Sequence, residues 1–193
     1  EEEGRVFAHP FNDRAVIAGQ GTIGLELLDQ RLLPHRVKTL ILTQVREVAR
    51  AITDMVVRGA PAIGITAAYG VALAARERYR ISTGSWKQAI EPDLDLLLAA
   101  RPTAVNLAWA VESMRALLFD IEEEPFETLL ARAREIHDQD ILANYRMGEL
   151  GAGLIQPDSS VLTHCNAGAL ATGGYGTALG VVRTGFDHGN ICA

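Results

Sequence analysis

The fifteen residues from Thr163 to Thr177 bring together a thiol (Cys165), an amide (Asn166) and four glycines. A run of strand formers, Ser160-Val161-Leu162, leads in, and a helical pattern from Thr177 to Val182 leads out. A strand that ends in a glycine-rich turn and feeds a helix N-terminus makes an anion site, because unpaired backbone N–H groups point at the ligand. A cysteine at the strand tip would sit in the same field, where the helix dipole lowers its pKa. The stretch therefore reads as an active-site loop with Cys165 as its reactive group. A plain buried thiol is the competing reading, and the glycine-rich surroundings weigh against it. His164 is not assigned as a base for Cys165, since neighbouring strand residues point to opposite faces. Thr172 and Tyr175 could hydrogen-bond a ligand.

Two arginines add anion-binding chemistry. In Val56-Val57-Arg58-Gly59-Ala60-Pro61-Ala62-Ile63-Gly64, Arg58 ends one helix, Gly59 permits a tight turn and Pro61 opens the next helix. A guanidinium beside a helix N-terminus can clamp a phosphate. The plainer alternative is a helix corner with Arg58 on C-terminal carbonyls. Arg101, in Arg101-Pro102-Thr103-Ala104-Val105-Asn106, also precedes a helix start. Alone it reads as a solvated loop arginine.

These groups need elements to position them. Gly21 to Leu28 reads as a strand, Leu27 to Pro34 as strand and turn, and Lys38 to Leu42 as a second strand. Thr43 then caps a helix carrying Val45, Val48, Ala49, Ile52, Met55 and Val56 at helical spacing, which should end near Arg58-Gly59. Ala62 to Arg78 is apolar on nearly every side and reads as a buried helix, with Gly64 and Gly70 allowing close packing. Further helices are expected over Ile90–Ala100, from about Thr103 to Leu118, and over Thr128–Leu150. Gln156-Pro157-Asp158 is a turn before the strand at Ser160.

The 193 residues are 48% hydrophobic, enough for a real core, with a net charge of −6 and no basic block. That balance argues against nucleic acid as a partner, and no apolar run reaches the length of a membrane span. Two cysteines without metal-ligand spacing suit a reducing, cytoplasmic setting and give no sign of a metal site or disulfide scaffold. The chain starts without Met and ends Asn190-Ile191-Cys192-Ala193, and it reads as a fragment or as the product of a shortened gene. The expected class is α/β. Residues 1–122 form a small strand-plus-helix domain. Residues 123–193 supply a linking helix and the first strand–loop–helix of an incomplete Rossmann-like parallel-sheet domain.

Four runs in order carry a resemblance: Leu27-Leu28-Asp29-Gln30-Arg31-Leu32-Leu33-Pro34, Asp54 to Gly64, Arg101 to Leu107, and His164 to Gly180. Together they resemble the methylthioribose-1-phosphate isomerases of methionine salvage. The wider family includes ribose-1,5-bisphosphate isomerases and the alpha, beta and delta subunits of translation initiation factor 2B. The resemblance implies isomerisation of 5-methylthioribose 1-phosphate to 5-methylthioribulose 1-phosphate by a homodimer at full length. It implies substrate phosphate held by Arg58, Gly59, Ala60 and Arg101, with Cys165 catalytic. No redox cofactor or metal is called for. It also places a catalytic Asp and later Gln and Asn-Lys contacts beyond Ala193. Proton transfer and hydride shift both remain open as the route. So does a different class of role, a non-catalytic binding or regulatory subunit using the same phosphate pocket.

Overall fold

The computed structural model describes residues 24–157 and 159–191. Expectations for residues 1–23 and for Cys192 lie outside them. The fold is helix-dominated, with one two-stranded antiparallel sheet. Strand β1 (Leu25–Leu28) pairs with β2 (Thr39–Leu42), Leu25 opposite Leu42 and Leu28 opposite Thr39. Between the strands, Asp29-Gln30-Arg31 makes a turn that carries site residues.

Helix α1 (Val45–Thr53) buries Val45, Val48, Ala49, Ala51 and Ile52, as the apolar spacing requires. Its N-cap is Gln44 rather than Thr43, and the Glu47 carboxylate accepts the N–H groups of both residues. The helix stops one turn earlier than its apolar pattern suggests. Met55 takes a left-handed conformation, φ 58°. The Met55 N–H donates to Ile52 O, and the Val56 N–H donates to Ala51 O. These are the paired bonds of a Schellman ending, normally signalled by glycine. Val56 and Val57 are still buried, but in the turn.

Helix α2 (Ala60–Ile81) is the centre of the molecule. Every residue from Ala62 to Ala75 is buried. Such a helix has no solvent face, so it must be enclosed by neighbours. It packs against α1, α3 (Trp86–Ala89), α4 (Glu91–Ala100), α5 (Val105–Leu118) and α6 (Phe126–Ala152). Ile52, Ile90, Leu94, Leu97, Leu107, Met114 and Leu129 fill the spaces, all fully buried. Each such side chain contributes about 1.5–3 kcal/mol on burial. At the α2–α5 crossing the backbones nearly touch: a methyl group on Gly64 would lie 2.7 Å from the Asn106 carbonyl oxygen.

Helix α7 (Ala178–Asp187) packs on α6. The segment expected as a strand at Ser160 is not one. Residues 160–164 are irregular and exposed, with Leu162 at 99% exposure. A parallel strand is stabilised only by neighbouring strands, and among the described residues none lies beside it. No helix among the described residues is long and apolar enough to cross a membrane.

Gly64→Ala should cost about 1–3 kcal/mol, because backbone at the α2–α5 crossing cannot retract as a side-chain end can. Gly84→Ala, with nothing within 4 Å of the added methyl, serves as the control. Chemical denaturation of both variants gives the comparison.

Candidate functional site

Two loops meet at the start of α2. The first is Arg58-Gly59, the N-cap of α2, where Gly59 takes φ +110°. The second is the loop from Ala167 to Thr177. Their backbones are in contact: a methyl on Gly59 would lie 2.3 Å from the Ala171 carbonyl oxygen and 2.4 Å from its Cα. Only glycine satisfies both the positive φ and this approach. Arg58, Gly59 and Ala60 therefore lie beside the glycine-rich loop.

Gln30 ties the two loops together. Its N–H donates to Val56 O, its carbonyl accepts from Arg58 Nη2 at 3.3 Å, and its side-chain amide donates to Leu170 O at 2.8 Å. The side chain is held in place by the turn around it. Asp29, buried, receives both arms of the Arg31 guanidinium at 2.8 and 2.7 Å and the Arg31 N–H at 3.2 Å. The Arg31 fork holds the Asp29 carboxyl below the ordinary carboxylate value. Sequence reading missed Gln30 as a site residue. Its signal was position, a polar residue between an ion pair's two members.

The glycine-rich loop is not the open N–H cradle that its composition suggests. Thr172 Oγ1 accepts the N–H groups of Gly174 and Gly176, both at 3.2 Å. Asp140 Oδ2 takes the Gly173 N–H at 2.6 Å, and Ala167 O takes the Leu179 N–H from the first turn of α7. The loop's donors are largely used to fold the loop. Thr172 and Tyr175 are likewise engaged internally, with the Tyr175 hydroxyl 2.7 Å from Thr184 Oγ1. The free donors lie across the contact, where the N–H groups of Ala60 and Ala62 have no partner among the described residues. That end of α2 carries the positive end of a helix dipole.

Cys165 is exposed, in a left-handed conformation at φ +69°, just before this loop. It stands at a bend and not at a strand tip. Non-glycine residues seldom hold that conformation, and strain of this kind is concentrated at functional sites. His164 is exposed beside it. Arg101 caps the C-terminus of α4, half-buried, and its carbonyl accepts the Ala104 N–H ahead of α5. Among the described residues its side chain makes no hydrogen bond or ion pair, and none joins it to the loop.

A cleft of about 320 Å³ opens at the same end of α2. Pro61, Gly64 and Ile65 form one wall, Asn106 and Trp109 of α5 a second, and Ile136, Gln139 and Asp140 of α6 a third. The wall mixes aromatic and aliphatic surface with a few polar groups, the usual make-up of a small-molecule site. Among the described residues no cluster of three or more His, Cys, Asp or Glu side chains could hold a metal ion.

Residues 56–191 match the model of the initiation factor 2 subunit family, and the chain belongs to that family. It is 57% identical over 168 residues to a methylthioribose-1-phosphate isomerase of Methylococcus capsulatus, an alignment covering 87% of this chain and 48% of that protein. Its fold is similar to the crystal structure of 5-methylthioribose 1-phosphate isomerase from Pyrococcus horikoshii, with a TM-score of 0.79 and 39% identity, covering 88% of this chain and 49% of that one. Subunit delta of translation initiation factor eIF-2B from A. fulgidus is similar at a TM-score of 0.78 and 42% identity, covering 88% of this chain and 50% of its own. The chain spans about half the length of the curated relatives it matches.

Gly59→Ala should destabilise the protein by about 1–3 kcal/mol from backbone strain alone and push the 169–171 segment off the α2 N-terminus. Thermal unfolding and amide exchange at Ala171 and Thr172 read the two effects. The Asp29 pair gives a pH signature. A depressed carboxylate stabilises the fold above its unfolded value of 3.8 and loses that contribution as pH falls through the lower folded value. Asp29→Asn should therefore be less stable at neutral pH, with a deficit that shrinks in unfolding titrations carried below that point.

Proposed function

We propose that this chain carries the phosphate-holding and thiol parts of an aldose–ketose isomerase for 5-methylthioribose 1-phosphate. The observation that carries the reading is the contact of the Arg58-Gly59 turn with the loop after Cys165, bridged by Gln30. It sets a guanidinium and two unpaired N–H groups at one helix end, and Cys165 lies in the chain two residues before the loop that touches that end. The similarity to relatives named for this activity supports it.

The roles follow the resemblance together with the chemistry of each group. Arg58 and the N–H groups at the start of α2, including that of Ala60, hold the substrate phosphate, and Arg101 adds charge from the α4–α5 turn. Phosphate on the anomeric oxygen blocks ordinary opening to a free aldehyde. The site must therefore assist ring opening before hydrogen moves from C2 to C1. In the proton route, a base takes the C2 hydrogen and an acid returns a proton to C1, with the C2 hydroxyl proton leaving as the ketone forms. In the hydride route, the C2 hydrogen crosses with its electron pair, and the acid/base groups handle only oxygen-bound protons. Cys165 is the acid/base group that this chain supplies, and a fixed phosphate keeps the sugar in register with it. The cleft beside Trp109 offers apolar surface beside polar groups.

On this reading the segment from residue 160 through α7 opens a Rossmann-like domain, with the division from the helical part near residue 122. The full-length protein is a cytoplasmic homodimer. A second reading, a binding subunit without turnover, draws on the similarity to subunit delta of the initiation factor. A ribose-1,5-bisphosphate isomerase is the nearer chemical alternative, and offering both sugar phosphates separates it.

In a protein carrying these residues and extended to the relatives' length, Cys165→Ala should lower turnover of the methylthio sugar by about 10²–10⁴-fold. Substrate should still bind, as read by calorimetry. Unchanged turnover would remove the thiol from the mechanism, and no turnover by the unaltered protein would favour the binding subunit.

A further inference from the structure

Asp140 and His137 stand one turn apart on α6, facing the glycine-rich loop. Together they grip both polar atoms of one residue. The Gly173 N–H donates to Asp140 Oδ2 at 2.6 Å, and His137 Nε2 lies 2.7 Å from the Gly173 carbonyl oxygen. A carbonyl only accepts, so Nε2 carries the hydrogen. On the other side of the ring, the Tyr69 hydroxyl of α2 lies 3.5 Å from Nδ1, with the two rings edge to face. Burial pushes the Tyr69 phenol pKa upward, so the hydroxyl keeps its proton. Asp140 is steadied in turn by Asn144, whose side-chain amide donates to Asp140 Oδ2 at 3.0 Å and to its carbonyl at 2.7 Å.

The fit leaves no slack. A methyl on Gly173 would lie 2.8 Å from the His137 ring and 3.0 Å from the Asp140 carboxylate. Gly173 lies one residue past the midpoint of the loop. Its flanks are closed by Thr172 Oγ1 on one side and by the Gly168–Gly176 bridge on the other. Fixing the Gly173 peptide therefore fixes the middle of the loop that begins two residues after Cys165. Asp140 also lines the cleft shared with Pro61 and Asn106.

Building on the isomerase reading, we propose that Asp140 and His137 are positioning residues, a clasp that orients the glycine-rich loop so that Cys165 meets the sugar held at the α2 N-terminus. The clasp works by hydrogen-bond geometry and not by contact with the reacting atoms. A misplacement of about 1 Å caused far from the chemistry can cost on the order of 10²-fold in rate.

The test compares Asp140→Ala with Asp140→Asn in the protein extended to the relatives' length. An Asn side-chain oxygen can still accept from Gly173 and Asn144, and a methyl cannot. Asp140→Ala should lower kcat by about 10²-fold with KM little changed. Asp140→Asn should recover about tenfold of that loss, the worth of one retained hydrogen bond. Equal loss in both variants would place Asp140 at the reacting atoms and overturn the clasp. A lower Tm in Asp140→Ala with unchanged kcat would make the contact merely structural and overturn it too. Should Asp140→Ala fail to fold, His137→Gln and His137→Leu repeat the comparison at the carbonyl end, where Gln keeps a donor. Turnover by the unaltered protein is the control for the isomerase reading. If it is absent, that reading falls and the clasp is judged without substrate, from the rate at which iodoacetamide alkylates Cys165. A rate altered in the Ala variant and restored in the Asn variant supports the clasp, and one common rate overturns it.

Discussion

The structure depends on enclosing a helix that has no polar face. From Ala62 to Ala75, α2 offers water nothing to bind. Five other helices arrange themselves to cover it, and the sheet and its turn close the end near Gly59. Small side chains set how closely those neighbours come. The N-terminus of α2 escapes this enclosure, because its first N–H groups have no intrahelical acceptors. The most buried element thus ends in N–H groups that have no partner among the described residues. A rigid core fixes the direction of that helix end.

Around that end the polar groups divide the work. The Asp29–Arg31 pair stiffens a turn, the turn aims Gln30, and Gln30 fastens the Arg58 segment to Leu170. On the opposite side, α6 fastens Gly173 through His137 and Asp140. Each fastening is a side chain on a regular element or a short turn holding the backbone of a loop. The loop is therefore set by supports at two places, and Cys165 sits just outside the span between them.

Much of this was legible in the chain. The apolar periodicity of α1, the all-round apolarity of α2 and the proline at its start located the helices and the Arg58 turn. The end of α1 was not legible, because Met55 occupies a left-handed position that glycine usually announces. Ser160 to Leu162 has strand-forming residues, but strand structure depends on what lies alongside, and one chain segment carries no record of that. The glycines of the loop were read as donors for a ligand. Which acceptor each N–H meets is a tertiary fact, and Thr172 and Asp140 take several of them. Asp140 did leave a trace: one helical turn past Ile136 it stands half-buried in line with Leu129, Ala133 and Ile136 on α6, and an acid at the edge of an apolar stripe calls for a hydrogen-bond donor.

The placement of the two tryptophans gives the molecule a built-in division of optical labour. Trp86 is 2% exposed, edge-on to Tyr79 in the core, whereas Trp109 is 52% exposed on the wall of the cleft. Their emission should differ in colour, the buried indole bluer and the cleft indole redder. A soluble quencher reaches only the second. Filling the cleft would therefore change one part of the fluorescence spectrum and leave the other as a reference for the integrity of the fold.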